Sequence, residues 1–164
     1  MNTTIMQTPT SDHALSESDR AYCLKRALEW FIHLSASSVG TLPTHCTPEY
    51  MERQIREDLT RAGKDLSALD PAGKKSAIEM ERIWEEAFAA RRVEYARRLF
   101  ARLCAGDTAG FFPPQNMTRE IRKELEKAGK DLSALDPAGK KSASEMERAM
   151  VAAEIAADPR RGRA

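Results

Sequence analysis

The chain has 164 residues, a length suited to one domain with a sizeable core. Its 26 Lys and Arg against 25 Asp and Glu leave a formal charge of +1, which excludes the global basicity of a general polyanion binder. No apolar run approaches the roughly 18–20 residues of a membrane span, and the N-terminus has neither a basic n-region nor an apolar h-region. Cys23, Cys46 and Cys104 are odd in number and widely spaced, which favours a reducing, cytoplasmic setting over a disulfide framework. Leu, Ala, Glu, Lys and Arg dominate and aromatic residues are few, so the expected class is all-α.

Residues 1–15 are polar and aperiodic and read as a disordered leader. Ser16 or Ser18 can cap a first helix, with Glu17 and Asp19 near its positive end. Leu24, Ala27, Leu28, Phe31 and Leu34 make one apolar face, with Trp30 and His33 beside it and Gly40 as the stop. His45 and Cys46 are adjacent but have neither the spacing of a metal site nor a visible third group for a nucleophilic pair.

Thr47-Pro48-Glu49 starts a second helix, whose stripe is Met51, Ile55, Leu59 and Ala62 and whose end is Gly63. The next residues hold the most informative feature of the chain. The segment Ala62–Ala77 (AGKDLSALDPAGKKSA) returns unchanged as Ala128–Ala143, so sixteen residues recur at an offset of 66. Flanking positions follow the same offset more loosely, with Pro48, Met51, Ile55 and Leu59 matching Pro114, Met117, Ile121 and Leu125. Glu79-Met80-Glu81-Arg82 likewise matches Glu145-Met146-Glu147-Arg148. This pattern reads as a tandem duplication, with repeats at 48–90 and 114–156, inside a single helical domain over 16–158.

Within the invariant segment, Leu66 and Leu69 are expected to anchor the loop. Asp70-Pro71-Ala72-Gly73 fits a type I turn, and Ser76 with Glu79 forms a capping box. Gly73-Lys74-Lys75-Ser76 fails as a phosphate loop, because Ala68 replaces the required first glycine and Lys75 holds the hydroxyl position. Two lysines beside free N–H groups at a helix start can still attract an anion.

From Ala77 to Ala105 there is neither Gly nor Pro, which predicts one long central helix joining the halves. Met80, Ile83, Trp84, Ala87 and Phe88 form its first apolar patch, and Ala96, Leu99, Phe100 and Leu103 its second. Arg91, Arg92, Arg97, Arg98 and Arg102 lie around these patches. Arg91, Arg98 and Arg102 fall near one face, either as a surface for nucleic acid or acidic protein or as partners of neighbouring acids. Phe111 and Phe112 occupy a loop, either plugging the core or standing outside it. Met117, Ile121, Leu125 and Ala128 then repeat the second helix, and Met146, Ala149, Met150 and Ala153 mark a last helix ended by Asp158-Pro159. Residues 159–164 form a basic tail.

The expected architecture is therefore a compact bundle of about five helices whose halves share one interior. No catalytic constellation, cofactor fingerprint or metal spacing appears, which points away from an enzyme. The leading expectation is a non-enzymatic regulator or inhibitor that binds a macromolecular partner, most simply a protein. Candidate partner-binding residues are Lys64, Asp65, Lys74, Lys75, Lys130, Asp131, Lys140, Lys141, Arg91, Arg98 and Arg102. Nucleic-acid binding through the arginine face and lysine loops is the alternative, a small enzyme around His45 and Cys46 is a weaker one, and a homodimer is left open.

Overall fold

The computed structural model describes residues 14–35 and 46–160. Most of the expected leader, Gly40, His45 and the last four residues of the basic tail lie outside the described residues. Five α-helices run in the order α1 (Glu17–Ser35), α2 (Pro48–Ala62), α3 (Ala77–Cys104), α4 (Pro114–Lys127) and α5 (Ala143–Ala157). Single 3₁₀ turns, Leu66–Leu69 and Leu132–Leu135, fall in the two copies of the invariant segment. The described residues contain no strand, and none of their helices is long and apolar enough to cross a membrane.

Local chemistry sets the boundaries. Ser16, not Ser18, caps α1 through the Asp19 N–H at 3.1 Å. Thr47 caps α2 through the Tyr50 N–H, and Pro48 supplies the first turn. At the end of α2, Gly63 takes a left-handed conformation (φ 66°). The Lys64 N–H then reaches back to the Leu59 carbonyl at 3.0 Å, and the Gly63 N–H to that of Thr60 at 3.0 Å, a Schellman closure. α4 ends the same way, through Lys130 to Leu125 and Gly129 to Glu126, both 2.9 Å. Its start differs. Pro113 stands where Thr47 stands in α2, and it offers no side-chain cap.

The buried apolar side chains form two clusters rather than the one shared interior that the pattern suggests. The first joins α1 (Ala27, Phe31, Leu34), α2 (Met51, Ile55, Leu59), Leu66 and Leu69 to the first half of α3 (Met80, Trp84, Phe88). Phe31 stacks on Trp84 with ring planes 6° apart. The second joins the other half of α3 (Val93, Ala96, Leu99, Leu103) to α4 (Met117, Ile121, Leu125), Leu135 and α5 (Met146, Met150). α3 is thus the common wall of two cores, the first closed by α1 and α2 and the second by α4 and α5, each with one 3₁₀ turn.

The boundary between the cores is polar. Arg92 is buried on α3 between them, donating to Glu124 of α4 at 2.8 Å and to Glu52 of α2 at 3.2 Å. A second, partly buried pair borders the first core, where Arg26 of α1 makes a two-pronged contact with Asp58 of α2, Nε to Oδ2 at 2.6 Å. Asp58 and Glu124 are 66 positions apart, as are Arg26 and Arg92, so the helices of each half are pinned by the same kind of pair at the same place. Asp58 is fully covered, whereas the Arg26 side chain keeps a third of its surface exposed.

Replacing Arg26 by Ala therefore leaves a buried carboxylate without its counter-charge. The expected loss is about 3–5 kcal/mol in urea unfolding, and a loss under about 1 kcal/mol would show that Asp58 finds solvent instead.

The invariant loops as candidate partner-binding surface

The two loops repeat one hydrogen-bonding plan. Asp65 caps the first 3₁₀ turn by accepting from the Ser67 N–H at 2.9 Å and from its hydroxyl, and Asp131 does the same with Ser133. Leu69 and Leu135, each 2% exposed, anchor the turns into their respective cores. The Asp70 carbonyl closes the following β-turn by accepting from Gly73 N–H at 3.0 Å, with Gly73 at φ 63°. Ser76 and Glu79 form the expected capping box at the start of α3, and Ser142 and Glu145 form it at α5.

The Asp70 side chain decides what the loop can bind. One oxygen accepts from the Lys74 and Lys75 N–H groups at 2.7 and 2.9 Å, and the other from Ala72 N–H at 3.2 Å. Asp136 accepts from Lys140, Lys141 and Ala138 at 2.7, 2.9 and 3.1 Å. The N–H groups that the sequence offered as an anion cradle are therefore filled by the chain's own carboxylate, and the Ser76 N–H is taken by Glu79 at 2.7 Å. Backbone capture of a phosphate at this loop loses its basis.

The backbone donors hold Asp70 and Asp136 below the usual carboxylate range, and Ser67 and Ser133 do the same for Asp65 and Asp131. Glu79 and Glu145 are lowered by their serine caps.

The lysines themselves face outward. Lys64, Lys74, Lys75 and their second-copy counterparts Lys130, Lys140 and Lys141 are exposed. Lys75 Nζ lies 3.9 Å from Asp70, and the other five make no ion pair within 4 Å among the described residues. Asp65 and Asp131, candidates by sequence, are turned onto the loop backbone and contribute architecture more than contact surface.

The arginines of α3 are placed differently from the lysines. Arg91 is buried, donating to the His33 and Leu34 carbonyls at the end of α1 and to Glu94 at 2.9 Å. Arg98 also meets Glu94. Arg102 holds Asp107 and the Ala109 carbonyl, and Arg97 reaches the Ala134 carbonyl at 2.7 Å, tying α3 to the second loop. Of the two readings of this face, pairing with neighbouring groups is the one its geometry favours, and Arg91 is withdrawn from the solvent-facing surface. Phe111 lies against the second core under Arg102, but Phe112 is 69% exposed, so the two phenylalanines divide between the two expected roles.

Cys46 is half-buried, and burial pushes its thiol above the usual range, the opposite of what activates a nucleophile. Among the described residues no cluster of three or more His, Cys, Asp or Glu is arranged to hold a metal ion. Two clefts adjoin the loops. One, of about 350 Å³, lies among Arg56, Thr60, Lys64, Asp65 and Glu81. The other, of about 500 Å³, lies where the halves meet, between Trp84, Glu85 and Phe88 of α3 and Lys127–Gly129. Comparison of the chain with protein-family models, characterised proteins and solved structures gave no match.

A pH prediction follows from the depressed carboxylates. Because their folded values lie below the unfolded ones, near 4, their stabilisation is complete above the unfolded value. It is lost as pH falls through the folded value. An Asp70→Ala, Asp136→Ala variant should be less stable than the parent at pH 7, and the gap in urea midpoint should narrow by pH 3. A gap that does not change with pH would mean the clamps act without their charge.

Proposed function

We propose that this protein is a non-enzymatic binding protein that engages an acidic surface of a protein partner through its two lysine-bearing loops. The supporting observation is how the sixteen invariant residues divide. Gly63, Asp65, Leu66, Ser67, Leu69, Asp70, Gly73 and Ser76 each have a turn, cap or anchor to make. Of the exposed lysine side chains only that of Lys75 lies within 4 Å of an acid of its loop, yet all three lysines are identical in both loops. Exposure alone does not preserve a residue here, because exposed neighbours just outside the segment differ, Arg61 against Lys127 and Ile78 against Ser144.

Each loop carries three exposed lysines against two aspartates whose carboxylates are engaged by the loop's own N–H groups, so it is locally positive although the whole chain is nearly neutral. The geometry suits recognition of carboxylates by side-chain ammonium groups, with the loop backbone already fixed so that little ordering cost remains on binding. Two equal loops on one body suit a partner with two similar acidic features, for which linkage can strengthen binding about 10²- to 10⁴-fold over either loop alone. Regulation or inhibition of that partner in the cytoplasm is the role this reading assigns.

Reversing Lys74, Lys75, Lys140 and Lys141 to Glu tests the reading. Capture of partner from nuclease-treated extract of the native cell should fall at least tenfold while the circular dichroism spectrum is retained. Reversal in one loop only should give an intermediate loss. Unchanged capture would remove the loops from the interface, and capture abolished by nuclease treatment would replace the protein partner with nucleic acid.

A further inference from the structure

Each half of the molecule holds its own set of the interactions that make folding cooperative. No residue belongs to both apolar clusters. Each half has its own arginine–carboxylate pair, Arg26 with Asp58 and Arg92 with Glu124, and its own leucine-anchored loop. Among the described residues, the links from α2 to the second half are ionic. Glu49 lies 3.7 Å from Lys123 and 4.0 Å from Lys127, and Glu52 lies 3.2 Å from Arg92. Glu49 is exposed and Glu52 half-buried, so solvent screens these links and each contributes little.

Arg92 is placed so that this seam can part without stranding a charge. If α4 leaves, Glu124 gains water and Arg92 keeps Glu52. Arg91, one residue earlier, stays with the first half through the His33 and Leu34 carbonyls at 2.6 and 3.2 Å. Past Arg92, the inward residues Val93, Ala96, Leu99 and Leu103 of α3 serve the second core alone, so the helix beyond the seam can fray when that core opens.

The halves are unequally built. α1 buries Cys23, Ala27, Phe31 and Leu34, and Thr47 caps α2. Phe31, Trp84 and Phe88 form a run of rings, the last two with centroids 4.6 Å apart. In the second half, α5 fully buries only Met146 and Met150, and α4 starts without a side-chain cap.

We propose that the protein opens in two stages. α4, the second loop, α5 and the last turns of α3 unfold as one unit, while α1, α2, the first loop and the first half of α3 stay folded. In that state only the Ala62–Ala77 loop remains on a folded support, so the Arg92 seam sets whether one lysine loop or two are displayed. The inference stands on the two cores, whether or not the loops bind a partner.

Both tryptophans, Trp30 and Trp84, pack in the first core, so their emission reports that half, whereas circular dichroism reports both. In urea the helical signal of the full chain should be lost in two steps, the first without a change in tryptophan emission. Leu59 and Leu125 hold matched positions in the two cores and supply the control. Leu125→Ala should move the first helical step to lower urea and leave the tryptophan midpoint in place. Amides of α4 and α5 should then exchange with solvent at least about tenfold faster, with those of α1 and α2 unchanged. Leu59→Ala should lower the tryptophan midpoint. If Leu125→Ala keeps the second half from folding at all, the tryptophan transition must still survive. A tryptophan midpoint that falls with the helical midpoint in Leu125→Ala overturns the proposal, as do α1 and α2 amides that quicken as much as those of α4 and α5.

Discussion

Arg92 is the point on which the two halves depend. It sits near the middle of α3, where the apolar patches of that helix are interrupted, and it touches α2 through Glu52, α4 through Glu124 and its own helix through the Phe88 ring, 6.0 Å away. Taking a guanidinium out of water is costly unless its donors are met by carboxylates in good geometry. Here two carboxylates meet it, and the result fixes how α2 and α4 lie along the shared helix. The exposed pairs of Lys123 and Lys127 with Glu49 lie between the same two helices but are solvent-screened, and each contributes little. A hydrophobic residue in place of Arg92 could fill the space, but it would leave Glu124 buried at 1% exposure with no counter-charge. Conformational specificity between two separate cores is thus assigned to one cation.

The helices were legible because their signals are local. Capping boxes, the Thr-Pro start, left-handed glycines and 3.6-residue stripes all depend on neighbours within a turn, and each boundary on described residues lies within a residue or two of the reading. The division into two cores was less legible. The patches on α3 were visible as two groups, but nothing local says whether patches that end at Phe88 and begin at Ala96 share an interior. Asp58 and Glu124 went unseen for the same reason, since an acid among Arg, Glu and Thr looks like part of a solvated face. A signal was present, because an acid recurs at the same repeat position with an arginine 32 residues before it in both halves. The α3 arginines were visible as a cluster, but Arg91 and Arg97 donate to backbone carbonyls of distant elements, and composition cannot reveal those.

The candidate loops divide along the same line. Turn, cap and anchor followed from residue type and spacing. The destination of the Asp70 carboxylate did not, because a side chain that reaches two, four and five residues ahead belongs to no common turn signature. That carboxylate changes the meaning of the segment. Without it, Gly73-Lys74-Lys75-Ser76 would present free donors to a phosphate. With it, the donors are spent and the exposed lysine side chains are what remains to meet an anion.

Each lysine loop is held to its own core by a buried leucine and to its own backbone by two aspartates, so its charges are displayed from a rigid support. Ammonium groups on such a support select partners by charge and position, with strength that falls as salt rises.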